Sequence, residues 1–318
     1  MKSIFHAPLF VVLLIVSVIV NSAMAQTNTV SLELQPSPLL QRAVDKAVQA
    51  TLDKFTATKL ATNQIAVTLV DLTDPNRPAS GSHRGGEQVY PASVVKLFYM
   101  LAAHRWMEDG KLADTEELRR AMRDMIVDSY NEATGYIVDM LTDTTSGPEL
   151  SDADMRVWIG KRNVVNRYLS SLGYKNINVN RKTWCEGPYG REMQSVKLHA
   201  PDHRNWLTTD ATARLLAEIV TARAVTPERS RQMMDLLVRR PFDETADRQS
   251  REYVGPALPP GTKLWSKAGW TSEARHDAAY VELPGGRKLI MVIFTIGHAQ
   301  EKEIVAFAAR TLLDGTKE

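Results

Sequence analysis

Ser93-Val94-Val95-Lys96 places a hydroxyl and an amine three residues apart, directly after Tyr90-Pro91-Ala92. On a helix that spacing puts both groups on one face. Ser93 at the helix start would meet free backbone N–H groups, which favour negative charge, including a developing oxyanion. A serine hydroxyl is a weak nucleophile until a neighbouring base takes its proton, and a buried Lys96 with a lowered pKa is such a base. Taken alone, Ser-x-x-Lys is expected by chance in a chain this long, and a capping serine with a solvated lysine is its ordinary meaning.

Two further groups complete the chemistry. Ser129-Tyr130-Asn131 follows 36 residues later between two helical segments, and Lys267-Ala268-Gly269 lies near the end of a C-terminal strand, followed by Trp270 and a turn. In order and context these elements resemble the penicillin-recognising serine hydrolases, specifically the class A β-lactamases, whose motifs are Ser-x-x-Lys, Ser-Asp-Asn and Lys-Thr-Gly. The resemblance runs from about Leu39 to Leu313. It implies an acyl-enzyme in which Ser93 attacks the carbonyl of a β-lactam or of an acyl-D-Ala-D-Ala peptide. Lys96 takes the Ser93 proton, directly or through water, Ser129 relays one to the departing nitrogen beside Lys267, and Asn131 holds Lys96 and a substrate amide. The backbone N–H groups of Ser93 and Trp270 form the oxyanion hole. Tyr130, Ala268 and Gly269 complete the substrate-binding strand and turn, and no cofactor or metal is implied.

The pattern departs from the family in places. Tyr130 replaces the aspartate of Ser-Asp-Asn. Ala268 removes the hydroxyl that ordinarily bonds the substrate carboxylate, a loss that Arg275 is placed to offset, unless it is an ordinary turn arginine. The stretch from Ser93 to Ser129 is short, which implies a trimmed helical domain and an open cleft. The Glu-x-x-Leu-Asn segment that activates the deacylating water is missing. Glu186, in Arg181-Lys182-Thr183-Trp184-Cys185-Glu186, is the candidate for that base; the alternative is a loop glutamate paired with Arg181 or Arg191. His199 and His203 flank a proline and lack a third ligand at metal-site spacing. Cys185, the single cysteine, excludes an internal disulfide and any multi-cysteine metal site, and is either a reactive thiol beside the site or an inert buried one.

The elements that must carry these residues follow from periodicity. Apolar residues from Leu40 to Phe55 keep helical spacing, Ile65–Val70 reads as a strand, and a second, irregular strand precedes Tyr90. Helices are expected over Ala92–Trp106, Thr115–Val127, Asn131–Thr142, Val164–Leu172 and Thr209–Thr221. Gly173 to Leu207 lacks periodicity, and a loop of that length is usually functional. Strands are expected over Lys263–Trp270, His276–Leu283 and Lys288–Ile296, with Pro284-Gly285-Gly286 as a hairpin turn, and a helix over Glu301–Leu313. The resulting fold class is mixed α/β (α+β). An antiparallel sheet flanked by helices (about 39–90 and 226–318) carries an inserted all-helical domain (about 91–225), with the active site at their interface.

The 318 residues carry 39 Lys+Arg against 37 Asp+Glu, so no global field attracts nucleic acid, and 44% hydrophobic content suits a globular core. Lys2, the apolar run Leu9–Val20 and Ala23-Met24-Ala25 form a secretory signal peptide cut before Gln26, too short for a stable membrane anchor. The mature chain, 26–318, is then expected in the periplasm or outside the cell as a monomer acting on a small molecule. Two other functions compete: a D-Ala-D-Ala peptidase acting on cell-wall peptides, and a non-catalytic cell-wall-binding module with a degenerate site.

Overall fold

A computed structural model of the chain describes residues 32–184, 186–199 and 204–317. The proposed signal segment, Cys185 and His203 lie outside the described residues, as does the side chain of His199.

Seven strands form one sheet in the order β1-β3-β2-β7-β6-β5-β4. They are β1 (Gln35–Pro36), β2 (Ile65–Asp71), β3 (Ala79–His83), β4 (Val238–Arg239), β5 (Lys263–Trp270), β6 (Ala274–Glu282) and β7 (Lys288–Ile296). Pairing is antiparallel throughout except at the two-residue edge, where β1 runs parallel to β3. The central strands are apolar at nearly every position because both faces are covered. Strand alternation then divides the core. Ile65, Val67, Leu69, Met291 and Ile293 pack with the first helix, α1 (Pro38–Lys54), and with the last one, Glu303–Gly315. Ala66, Val70, Ile290, Val292 and Phe294 face the other helices.

Those helices are α2 (Lys96–Glu108), α3 (Glu116–Ile126), α4 (Asn131–Thr142), α5 (Asp152–Arg162), α6 (Val164–Ser171), α7 (Gly190–His199), α8 (Thr209–Val220), α9 (Pro227–Leu237) and the single turn α10 (Arg248–Arg251), with α11 closing the chain over Glu303–Gly315. α2 is buried around its whole circumference, as its unbroken apolar run requires. Four elements differ from the periodicity reading. α5 and α9 carry ordinary start signals, a Ser151 cap and a Thr226 cap followed by Pro227, but their mostly polar faces blur the apolar repeat. α7 lies inside the segment expected to be irregular. The helix expected from Ala92 begins instead as a 3-10 turn, Ala92–Val95, and becomes α-helical only at Lys96.

Candidate active site

The turn that presents Ser93 is bent by its backbone. Ala92 takes a left-handed conformation, φ 46°, which costs a residue with a side chain about 1–3 kcal/mol and must be held by its surroundings. Part of the hold is Gly269 on β5, packed so closely that a β-carbon there would lie 2.8 Å from the Pro91 carbonyl oxygen and 3.1 Å from the Ser93 nitrogen. The Val89 and Leu207 backbones pair across the approach to the turn.

One turn further along, Lys96 is fully buried. Its Nζ donates to the Ser129 carbonyl at 2.6 Å, to Asn131 Oδ1 at 2.9 Å and to Ser129 Oγ at 3.4 Å. Ser129 is turned toward it by the junction of α3 and α4, where Ser129 itself has φ 61° and Asn131 opens α4. Lys267, also fully buried, reaches the same hydroxyl from the sheet: its Nζ lies 2.9 Å from Ser129 Oγ, 2.9 Å from Gln249 Oε1 and 2.8 Å from the Ala268 carbonyl. Burial, with the nearby Lys96 and Arg239 charges, holds the Lys267 ammonium well below the usual lysine range, against the opposing Asp277 and Asp247 carboxylates. A hydroxyl that accepts from two amines keeps its own O–H free to donate elsewhere.

These groups open on a cleft of about 620 Å³. Ser93, Ser129, Tyr130, Asn131, Ala268 and Trp270 line it, with Lys96 and Lys267 buried beneath its floor and Gly269 behind the nucleophile turn. Tyr130 and Trp270 stand at its mouth, 58% and 44% exposed.

Two of the expected site residues are not part of it. Glu186 is exposed, contributes nothing to the cleft wall and makes no ion pair with Arg181 or Arg191 among the described residues. The loop presents Trp184 to the cleft instead. Among the described residues the carboxylates lining the cleft are Asp128 and Asp247. Arg275 is fully buried on the sheet face that carries Tyr253, stacked on that ring at 4.5 Å, with Nη2 2.9 Å from Glu252 Oε2. Alternation puts Arg275 on one face with Asp277, Ala279 and its cross-strand partner Trp270, and it is the Glu252 carboxylate and the Tyr253 ring that hold its guanidinium away from the cleft.

The arginine at the cleft is Arg248, stacked over Trp270 at 4.6 Å and held by Glu252 Oε2 at 3.0 Å. Beside it Gln249 joins the two halves of the site. Its amide nitrogen donates to the Val127 carbonyl at 2.7 Å, and its oxygen accepts from Lys267 and from the Ala268 N–H at 3.0 Å. Neither residue stands out in sequence. The visible signal is an Asp247 cap for a four-residue helix, and its place beside β5 is a tertiary fact.

A helix-flanked mixed sheet with a serine–lysine pair, a second serine and a second lysine around one cleft defines a serine hydrolase of the penicillin-recognising class. The chain belongs to the beta-lactamase enzyme family, whose sequence model matches residues 43–314. Among curated proteins no significant relative is found. Solved structures similar to this one include a beta-lactamase from Sphaerobacter thermophilus, with TM-score 0.64, 21% identity, and 87% of this chain and 97% of that one covered. Another is a beta-lactamase from Chitinophaga pinensis, with TM-score 0.60, 16% identity, and coverage of 84% and 98%. A third is PBP-A, with TM-score 0.61, 16% identity, and coverage of 91% and 99%. At these identities the likeness is one of fold.

Proposed function

We propose that the protein, a β-lactamase-like serine hydrolase, opens the β-lactam amide through an acyl-enzyme on Ser93. Lys96 takes the Ser93 proton as Oγ attacks the carbonyl carbon, and the N–H groups of Ser93 and Trp270 bind the oxyanion. When the tetrahedral adduct collapses, the carbon–nitrogen bond breaks and the Ser129 hydroxyl gives its proton to the leaving nitrogen, drawing on the neighbouring ammonium groups. Water then cleaves the ester and returns Ser93. Asn131 positions Lys96 and the substrate amide. Lys267, together with Arg248 in the role expected of Arg275, supplies the positive potential for the substrate carboxylate. The observation that carries this reading is the Ser129 hydroxyl held by Lys267 at 2.9 Å and by Lys96 at 3.4 Å beside Ser93 in one cleft. The same reading has the chain exported behind residues 1–25 and acting as a monomer in the periplasm or outside the cell, where β-lactams and cell-wall peptides are met.

A second reading, a D-Ala-D-Ala peptidase that acylates readily and releases penicillin slowly, is favoured by one feature. The expected deacylating base, Glu186, is exposed and outside the cleft. Mass spectrometry after mixing with a penicillin, run beside turnover of a chromogenic cephalosporin, tests both. A Ser93 adduct in the wild type that is lost in Ser93→Ala supports the acyl-enzyme, and its absence from the wild type would sink it in favour of a binding module. Sustained turnover supports the lactamase, and a lasting stoichiometric adduct supports the peptidase. Glu186→Gln is expected to leave the rate of adduct release unchanged.

A further inference from the structure

His276 lies on β6 directly opposite Gly269, and side chains of a cross-strand pair project from the same face of a sheet. Gly269 has no side chain there, and the backbone of the nucleophile turn fills the vacant space. His276 fills the position beside it. Its ring is fully buried and packed on Phe294, with ring centres 4.6 Å apart.

Both ring nitrogens have partners with fixed roles. Nδ1 accepts from the Thr295 backbone N–H at 3.1 Å. Nε2 lies 2.9 Å from the Tyr90 carbonyl oxygen, which can only accept. The ring is therefore the neutral tautomer with its proton on Nε2. Burial, which pulls its pKa down to about 4, keeps it neutral at physiological pH. Tyr90 stands three residues before Ser93, on the entry side of a turn whose Ala92 is left-handed. A chain in that conformation stays put only while its ends are pinned.

We infer that His276 is a positioning residue for acylation: by donating from Nε2 to the Tyr90 carbonyl while Thr295 fixes its tautomer, it sets the turn that aims Ser93. Gly269 provides the clearance and His276 provides the anchor, so one position on each of two neighbouring strands seats the nucleophile. The inference rests on Ser93 being the acylated residue.

Three variants separate an anchoring role from simple packing. His276→Phe keeps a ring against Phe294 and removes both hydrogen bonds. His276→Gln places an amide nitrogen where Nε2 stands and restores the donor to Tyr90. His276→Asn can accept from Thr295 but is too short to reach Tyr90. Acylation of Ser93 by a chromogenic cephalosporin is followed by stopped flow over a range of concentrations, so that the limiting rate and the half-saturating concentration are obtained separately. The adduct is confirmed by mass spectrometry, and the unfolding midpoint of each variant is measured alongside. In His276→Phe and His276→Asn the limiting rate falls roughly 10- to 100-fold, the cost of a misplaced nucleophile, while half-saturation changes little. His276→Gln recovers most of the rate whatever its midpoint. Equal rates in the Gln and Asn variants would overturn the inference even if the Phe variant does not fold, and so would an unchanged rate in a folded Phe variant. Failure of the wild type to acylate would instead remove the Ser93 reading beneath it.

Discussion

Gly269 marks the tightest approach in the site, because the strand backbone and the nucleophile turn meet where any side chain would stand. Gly269→Ala must push Pro91 and Ser93 away or bend β5. The expected result is a loss of about 1–3 kcal/mol of stability, the usual cost of overpacking. Acylation should slow about tenfold or more, since small displacements of a reacting atom are costly. Burst kinetics with a chromogenic cephalosporin, beside urea unfolding, check both. The same scale explains which site residues could be read from sequence. Ser93, Lys96, Ser129, Asn131 and Lys267 belong to short motifs whose local geometry brings out their chemistry. Arg248, Gln249 and His276 do not. Each acts through a partner more than 15 positions away, and no local spacing encodes that.

The segment from Gly173 to Leu207 is tied down by buried charge rather than by a repeating pattern. Glu192 on α7 accepts from Arg162 of α5 at 2.7 Å, with Lys182 at 3.6 Å from the same oxygen and 2.8 Å from Ser146 Oγ. Lys182 also pairs with Asp139 of α4 and lies 5.8 Å from the ring centre of Trp184, which faces the cleft. Tyr99 of α2 donates to the Arg181 carbonyl at 2.6 Å. Removing one partner of a buried ion pair leaves the other charge uncompensated. Glu192→Ala should therefore cost about 3 kcal/mol in urea unfolding. Hydrogen exchange should rise over residues 180–199 while the central strands stay protected. Loss of protection spread evenly over the sheet would count against a local tether. The buried strands and the apolar helices were legible in sequence because burial on all sides leaves a continuous apolar run. α7 was not, since polar contacts hold it: Glu192 to Arg162 and Lys182, and Arg191 and Gln194 to the backbone of Pro148 and Leu150.

Taken whole, the molecule encloses ionisable groups whose titration opposes itself. Burial pulls His276 from 6.5 down to about 4. It does the same, aided by Arg229, to His104 of α2, whose ring nitrogens are buried without hydrogen-bond partners. Between pH 4 and 6.5 the unfolded chain binds protons at these rings that the folded chain does not, so each adds stability as pH rises, about 3 kcal/mol over the window. Asp277 runs the other way. Burial raises it from 3.8 to about 6, so its contribution, present below pH 4, is lost as pH climbs through 6. Two histidines outweigh one aspartate, and the unfolding midpoint should climb from pH 4 to 6.5. His104→Leu should flatten that climb and raise the midpoint near pH 5, because it removes two unsatisfied buried nitrogens, each costing about 1–3 kcal/mol. A midpoint as pH-sensitive in the variant as in the wild type would refute the assignment.

By itself the sequence determined the family, five of the seven strands, and a serine and a lysine one turn apart. Short motifs and apolar runs are consequences of local geometry, and residues three apart on one turn share a face wherever that turn forms. Only the tertiary structure decided which arginine stands at the cleft and which glutamate does not. Glu252 and the Tyr253 ring hold Arg275 away from the cleft, and the fold of a loop exposes Glu186 while Trp184 takes the wall. It also decided that His276 reaches Tyr90, 186 positions away. Such contacts are set by register between distant strands and by the packing that buries them, which no spacing along the chain records.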